Sequence, residues 1–345
     1  MLLGVGVIFY LVWSSFEIEE FKAIKWGGKV ITYTSLAIFT YLLRHIVLSY
    51  RLKLLSNDFF SWSKSIELSC IWEFASAVSP TSLGGSAVAL FFLAQEKLSA
   101  AKTVTLVLYS VIADSIFFII TIPILFFTLG PISIRPDALL TTDLGVYWPT
   151  IIVIYLFIVL YGSLFLAGIF RPQIMQTIIR FFGKIPWLNQ WQESINRTAD
   201  DMVTASRELR KQSFFWHIKV YLSTFLIWFF RFFTINFIII GLTGISIVDL
   251  YDQYVIYGRS EMMHSITQFS PTPGGAGISE YLFGGFYSDY ISKGISSFVA
   301  LIWRLVTYYT YLFIGLLIIP NWIRKIWLRK KRDSRKKNSR TISNA

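Results

Sequence analysis

Long apolar runs constrain this chain more than any other feature of its sequence. A helix of about 20 mostly apolar residues crosses the apolar core of a bilayer. Five runs reach that length: Lys29–Tyr50, Thr103–Gly130, Val146–Phe170, His217–Gly241 and Gly294–Pro320. A sixth run, Met1–Phe16, is shorter, and 15% of the 345 residues are charged, against about a quarter in soluble domains. The sequence therefore predicts an all-α integral membrane protein with six transmembrane helices, and it argues against a soluble enzyme.

Positive charge is distributed unevenly between the predicted loops. Of the 32 lysines and arginines, 23 fall in segments on one side of the predicted spans, five on the other, and four within apolar sequence. Cytoplasmic loops carry such an excess, so we expect a multi-pass protein of the cell membrane with both termini in the cytoplasm. The basic tail 321–345, which contains Arg329-Lys330-Lys331-Arg332, is expected to touch anionic lipid and not nucleic acid.

Two further apolar regions are interrupted by proline and glycine. The region 65–95 is broken at 79–86, and the region 254–287 is broken at 270–277. Proline and glycine at this density stop a helix, and an arm of about 14 residues extends only about 21 Å. We therefore expect two re-entrant helical hairpins, whose broken backbone must be buried in protein or line a wet cavity.

The two breaks belong to a predicted inverted repeat. Both contain Ser-Pro-Thr, at 79 and at 270, and each follows an intramembrane arginine, Arg44 or Arg231, by 35 to 39 residues. The first repeat, 1–130, reads as two spans, a hairpin and a third span. The second, 131–320, adds a cytoplasmic amphipathic segment, 171–216, between its first two spans. The charge distribution makes the hairpins enter from opposite faces, which is typical of transporters with a site near the midplane; two unrelated kinked helices are the alternative.

Ionisable residues interrupt the apolar sequence: Arg44, Glu73, Asp114, Arg231, Glu261, Glu280 and Arg304. Each costs about 2.5–3.5 kcal/mol at the centre of a bilayer on insertion scales. Such residues either form a polar path through the bundle or pair in its core, for example Arg304 with Glu280 or with Asp114. The size of the whole set favours a path.

Glycine clusters at the breaks predict an anion site. Glycines let backbone N–H groups approach a ligand, and the N-terminus of a half-helix after the break favours negative charge. The candidate substrate-binding residues are Ser79, Thr81, Gly84, Gly85, Ser86, Thr272, Gly274, Gly275, Gly277, Glu280, Arg304, Arg231, Asp114 and Glu73. The sequence contains no nucleotide-binding motif, no catalytic motif and no metal-ligand spacing, so we expect no catalytic residues, no metal and no cofactor.

The cytoplasmic segment carries an amphipathic pattern. Apolar side chains recur at spacings of three and four at Trp191, Ile195, Thr198, Met202, Ala205 and Leu209. Such a helix lies on the membrane interface or docks as a linker on the bundle.

The second break also carries a family resemblance. The sequence Pro271–Glu280, PTPGGAGISE, resembles the P-x-P-G-G-x-G-x-x-E signature of the lysylphosphatidylglycerol synthase transmembrane-region family, whose members are flippase-like membrane proteins. Trp303–Tyr309 with Gly315 resembles that family's last span, and Asp114 matches an acidic position. After the first glycine pair many members have an acid and then a base, where this chain has Ser86 and Ala89, so the resemblance leaves the headgroup specificity open.

The resemblance implies a lipid translocator that moves phospholipid or polyprenyl-linked headgroups between leaflets. Only 25 residues follow Pro320, too few for the aminoacyltransferase domain of some members, so we expect a translocator and not an enzyme. The alternatives are an ion-coupled transporter of a small anion and a membrane enzyme that modifies lipids. The residues leave open the identity of the lipid, the direction of transport, the energy source and the oligomeric state. A homo-oligomer is one of the possible states.

Overall fold

A computed structural model of the protein describes residues 19, 22, 24, 26–79, 81–136, 144–183, 192–243 and 249–343. The predicted first span, 1–16, lies outside the described residues. The described part contains no β-strand and has twelve α-helices: α1 (Gly28–Leu55), α2 (Trp62–Val78), α3 (Thr81–Ala94), α4 (Ala100–Ser133), α5 (Leu144–Phe170), α6 (Pro172–Gly183), α7 (Gln192–Arg210), α8 (Phe214–Leu242), α9 (Leu250–Thr267), α10 (Ile278–Phe286), α11 (Lys293–Arg304) and α12 (Thr310–Ser343). A π-helical turn, Leu305–Tyr309, joins α11 to α12.

Four helices of the described part are long and apolar enough to cross a membrane: Gly28–Leu55, Lys102–Ser133, Phe214–Leu242 and Lys293–Arg329. A shorter apolar stretch, Pro149–Leu164, lies within α5. Two of these spans begin a few residues before the apolar run because serine caps extend them. The hydroxyl oxygens of Ser99 and Ser213 accept hydrogen bonds from the N–H groups of Lys102 and Trp216, as N-cap serines do. The chain is therefore an all-helical membrane protein, as predicted.

Helices α1 and α8 form an antiparallel pair at the centre of the bundle. Lys29 Nζ donates to the Thr243 carbonyl at one end, and Arg51 Nη1 donates to Thr224 Oγ1 near the other, at 3.0 Å. Gly241 allows the close approach, since a Cβ there would come within 3.0 Å of the Tyr33 Cβ. The two helices that precede the hairpins thus pack directly against each other.

Helices α2 and α3 form a helical hairpin around the first break. The break is shorter than the predicted 79–86, because α3 already begins at Thr81 and includes Gly84, Gly85 and Ser86. Trp72 contacts Phe92, with ring centroids 6.2 Å apart. Ser76 lies against Gly85, where a Cβ would come within 2.1 Å of the serine Oγ. The contacts run in opposite order along the two helices, so the arms are antiparallel. Pro80, at the turn, lies outside the described residues.

Helices α9 and α10 form a second helical hairpin around the second break, residues 268–277. Near the break, Gly275 lies beside Thr267, and near the base the Ser260 and Tyr287 hydroxyls are 2.8 Å apart. Gly274, Gly275 and Gly277 all have positive φ, from 58° to 87°. Only glycine adopts that region without strain, so the three glycines set the path of the break.

Each hairpin is fastened at its base to a long helix. At the second hairpin, Arg259 Nε donates to the Ser133 carbonyl at the end of α4 at 2.7 Å, and its Nη2 pairs with Asp289 at 2.6 Å. At the first hairpin, the buried Glu96 carboxylate accepts from Trp322 Nε1 of α12 at 2.6 Å. The hairpin bases are therefore tied to the bundle by polar contacts, while their breaks lie in its interior.

The predicted amphipathic segment is helical and docked on the bundle. It comprises α6 and α7, and α7 packs against α4, α5 and α6. Ala199 and Leu209 of α7 are buried. Trp191 lies outside the described residues, as do the side chains of the other predicted apolar positions except Leu209. The buried residues support the docked linker helix over one lying free on the interface. The basic tail continues α12 as a helix to Ser343.

Substitution of Gly315 tests the packing of α12 against α2. A Cβ at this position would come within 2.2 Å of the Phe74 ring, and overpacking of this kind costs about 1–3 kcal/mol. We expect Gly315→Ala to lower the free energy of unfolding by that amount, measured by denaturation in detergent micelles. Gly28→Ala is the matched control, because a Cβ at Gly28 meets nothing within 4 Å. Equal effects of the two substitutions would contradict the close packing.

Candidate functional site

A cavity of about 310 Å³ lies in the middle of the bundle. It is lined by the C-terminal half of α1 and by the middle portions of α4 and α8, at residues 44–52, 110–118 and 227–235. Extensive buried apolar clusters pack on either side of that level. Both hairpin breaks reach it, the first through Ser79 and the second through Gly274 and Gly275. The cavity is therefore bounded by the central helices and by both interrupted hairpins.

Eight of the fourteen predicted site residues line this cavity: Glu73, Ser79, Ser86, Asp114, Arg231, Gly274, Gly275 and Arg304. Four others have contacts elsewhere. Gly85 lies in the contact between α2 and α3, Thr272 Oγ1 donates to the Ala276 carbonyl at 2.8 Å, and Gly277 and Glu280 form the start of α10. Thr81 and Gly84 lie in α3, and their surroundings are outside the described part.

A buried ion pair holds the second break in place. Arg304 Nε donates to Glu280 Oε1 at 2.6 Å, and Arg304 Nη2 donates to the Gly274 carbonyl at 3.0 Å. The other carboxylate oxygen of Glu280 accepts from the Gly277 N–H at 2.6 Å. The two side chains therefore satisfy a carbonyl and an N–H that the break leaves without helical partners. The sequence offered Arg304 either Glu280 or Asp114 as a partner, and the partner is Glu280.

The glycine backbone of the second break is largely occupied by the protein itself. The N–H groups of Gly275 and Ala276 donate to the Thr272 and Pro273 carbonyls at 3.0 and 3.1 Å, and the Gly277 N–H donates to Glu280. The predicted binding of phosphate by this backbone stays a prediction. The side chains of the cavity wall are the better placed donors.

Tyr308, in the π-helical turn, connects the two breaks. The Tyr308 ring packs against Gly274, since a Cβ on Gly274 would come within 2.1 Å of the ring atom Cε2. The Tyr308 hydroxyl donates to the Ala77 carbonyl at 3.1 Å. The Thr307 carbonyl of the same turn accepts from the Tyr41 hydroxyl at 2.7 Å. From the sequence, Tyr308 was predicted only to lie in the last span, because no local pattern shows which ring will lie between two distant breaks.

Two more arginines of the cavity wall are neutralised by acids. Arg44 Nη2 pairs with Glu73 at 2.8 Å, and Arg51 Nη1 pairs with Asp114 at 2.6 Å. Arg51 follows the apolar run Lys29–Tyr50 and was predicted to be one of the 23 cytoplasmic loop charges, but it lies within α1 and is buried. Its position seven residues after Arg44, two turns along one helix face, was the signal that could have found it.

Arg231 is the remaining predicted arginine on the cavity wall. Among the described residues it forms no ion pair or hydrogen bond, and its guanidinium carbon lies 5.6 Å from the centroid of the Trp228 ring. Trp228 itself donates to Asp114 at 3.0 Å. Because the other three arginines have carboxylate partners, the charge of Arg231 gives this wall an excess of positive charge.

An aromatic wall adjoins Arg231, and sequence reasoning did not assign it to the site. His264 of α9 contacts Trp228 and Phe118, with ring centroids 4.9 and 5.8 Å apart, and all three side chains line the cavity. These ring contacts show that His264 packs against aromatic side chains. Glu261, one turn earlier on α9, is fully buried beside Thr121 and is not among the cavity-lining residues.

Comparison with known proteins finds similarity to membrane proteins along most of the chain. Residues 1–315 match the sequence profile of a family described as the lysylphosphatidylglycerol synthase TM region. The chain is also 25% identical over 278 residues to a UPF0104 membrane protein of Archaeoglobus fulgidus. That alignment covers 77% of this chain and 79% of the relative. The matched segment of the family includes every residue named above as lining the cavity.

The Arg304–Glu280 pair can be tested by a double-mutant cycle. Removing one partner of a buried ion pair leaves the other charge uncompensated and costs about 3–5 kcal/mol. We expect Glu280→Gln and Arg304→Gln each to lose stability of that order, and the double variant to lose less than the sum. Thermal unfolding in lipid nanodiscs, followed by tryptophan fluorescence, measures the loss. Arg180→Gln is the control, because its pair with Asp200 is exposed and contributes about 0–1 kcal/mol; strictly additive losses would contradict the coupling.

Proposed function

Since the chain belongs to the lysylphosphatidylglycerol synthase TM region family, we propose that it moves the charged, phosphate-containing headgroup of a lipid between the leaflets of a membrane. The observation that carries this proposal is Arg231, a cation without an acidic partner among the described residues, on the wall of a cavity in the middle of the bundle. A headgroup crossing the membrane needs such a group. Burying an isolated ionised group costs tens of kcal/mol in an idealised apolar medium.

The charges of the cavity favour an anion. The pairs Arg44–Glu73, Arg51–Asp114 and Arg304–Glu280 are each neutral overall, so Arg231 sets the sign of the excess charge. Guanidinium groups bind phosphate oxygens through several parallel N–H donors. A phosphate bound at Arg231 would accept charge-assisted hydrogen bonds from the guanidinium, and these would take the place of the water that the phosphate loses on entering the cavity.

We further propose that the two hairpins are re-entrant from opposite faces of the cell membrane, within a bundle of six spans. The arms support this, since α2 with 17 residues and α10 with nine would extend about 26 and 14 Å, against about 30 Å of apolar core. The charge distribution of the loops favours cytoplasmic termini. The basic end of α12 would then lie against anionic lipid.

In this mechanism the protein binds and orients its substrate without changing it covalently. The headgroup would occupy the cavity while the lipid chains stay in the membrane, and movement of the two repeats would expose the cavity to each side in turn.

Arg231→Gln tests the proposed function. Hydrogen bonds to charged groups contribute about 1.5–3 kcal/mol, so we expect lipid movement to slow by about 10- to 100-fold. The measurement is a leaflet-accessibility assay in reconstituted vesicles, with fluorescent phosphatidylglycerol quenched from outside by dithionite. Arg197→Gln is the matched control and should leave the rate unchanged, because Arg197 lies on the exposed face of α7.

Three outcomes would contradict the proposal. Wild-type protein that moves no lipid would reject translocation of phosphatidylglycerol, and equal rates for Arg231→Gln and wild type would reject the assigned site. Uptake of radiolabelled inorganic phosphate by the same vesicles, without lipid movement, would indicate a transporter of a small soluble anion that uses the same arginine.

The proposed topology has a separate test. Lys102 and Lys293 are exposed residues in the first turns of α4 and of the last span, and the proposed topology places them on opposite sides of the membrane. We expect Lys102→Cys to react with an impermeant maleimide only from the cytoplasmic side of oriented vesicles, and Lys293→Cys only from the other. Cys70, the native cysteine, is buried and gives the background. Labelling of both variants from one side would contradict the inverted arrangement.

A further inference from the structure

We propose that the lipid enters the cavity sideways, through a seam between α5 and the second break that the rings of Phe157 and Phe269 close. This inference rests on the proposed function and adds the route by which the lipid, with its anionic headgroup and long hydrocarbon chain, reaches the cavity. Phe157 and Phe269 both line the cavity. Their ring centroids are 5.4 Å apart in an edge-to-face contact.

The wall at this seam is one helix thick. Leu156 and Leu160, next to Phe157 on α5, are 57% and 67% exposed, and neither is among the residues that line the cavity. At this level α5 therefore has the cavity on one face and the surroundings of the bundle on the other. In a membrane, leucines exposed in this way face lipid chains.

The opposite edge of α5 is fastened to α4. A Cβ on Gly162 would come within 2.9 Å of the Ser115 Cβ, and the Tyr155 hydroxyl donates to the Ile119 carbonyl at 3.3 Å. At the seam, the contact joins two apolar rings across a break in helical structure. Separating the two rings breaks no hydrogen bond, whereas separating α5 from α4 breaks the hydrogen bond of Tyr155 and the close packing at Gly162, so the seam opens at lower cost.

The side chains inside and outside the seam indicate which kind of molecule would pass through it. Inside, Arg231 supplies a cation without an acidic partner among the described residues. Outside, the exposed side chains of α5 are apolar, such as Val153 and Leu156. A lipid fits both, with its headgroup at Arg231 and its acyl or prenyl chain between Phe157 and Phe269. A soluble anion would have no use for an apolar passage into the membrane.

A reversible cross-link across the seam tests this path. We expect Phe157→Cys/Phe269→Cys, bridged by a bifunctional methanethiosulfonate, to move fluorescent phosphatidylglycerol at least tenfold more slowly in reconstituted vesicles, and to recover when a reductant removes the bridge. The matched control is Tyr155→Cys/Ile119→Cys, which bridges the other edge of α5 to α4. Its bridged form should stay within twofold of its reduced form.

The outcomes separate this inference from the function on which it rests. Wild-type protein that moves no lipid would reject the function. Active wild type together with unimpaired movement in the bridged seam variant would reject the seam alone, as would equal inhibition by both bridges. Phe157→Ala/Phe269→Ala is a second variant that needs no cross-linker; we expect it to move lipid at least twofold faster, and an unchanged or slower rate would also overturn the seam.

Discussion

The structure depends on satisfying the backbone where a helix is broken inside an apolar environment. At the second break, Arg304 and Glu280 supply partners for the Gly274 carbonyl and the Gly277 N–H. In water, solvent could replace these partners, but in hydrocarbon each missing one costs several kcal/mol. The ring of Tyr308 then joins this break to the first hairpin. The cavity follows from this constraint, because two breaks that cannot face lipid must face each other or a polar space.

The same constraint separates structural charges from a functional one. Three arginines of the cavity wall are neutralised by acids of the protein, and such pairs hold helices together without leaving charge for a ligand. Arg231 lies in the same cavity, stacks on the face of Trp228, and forms no ion pair or hydrogen bond with the described residues. The four arginines look alike in the sequence, but only Arg231 has no carboxylate partner among the described residues, and this difference carries the proposed function. The proposed seam between Phe157 and Phe269 would connect Arg231 to the surrounding lipid.

Much of the fold was predictable, and the site was predictable in part. The long helices and both helix breaks were found, and eight of the fourteen predicted site residues line one cavity. Arg51 was misplaced, because near the end of an apolar run a charged residue looks the same whether it faces water or Asp114. Ser69 and Ser76, which also line the cavity, were missed, although they lie four residues before and three residues after Glu73 on one face of α2.

The sequence by itself determined that this is a helical membrane protein of its family with two interrupted hairpins. Span length, proline and glycine density and the signature at Pro271–Glu280 are properties of neighbouring residues. The tertiary structure alone decided which charges cancel. The paired residues Arg304 and Glu280 are 24 positions apart, Arg44 and Glu73 are 29 apart, and Arg51 and Asp114 are 63 apart. An ion pair forms where packing brings an acid within reach, and local sequence does not encode that distance.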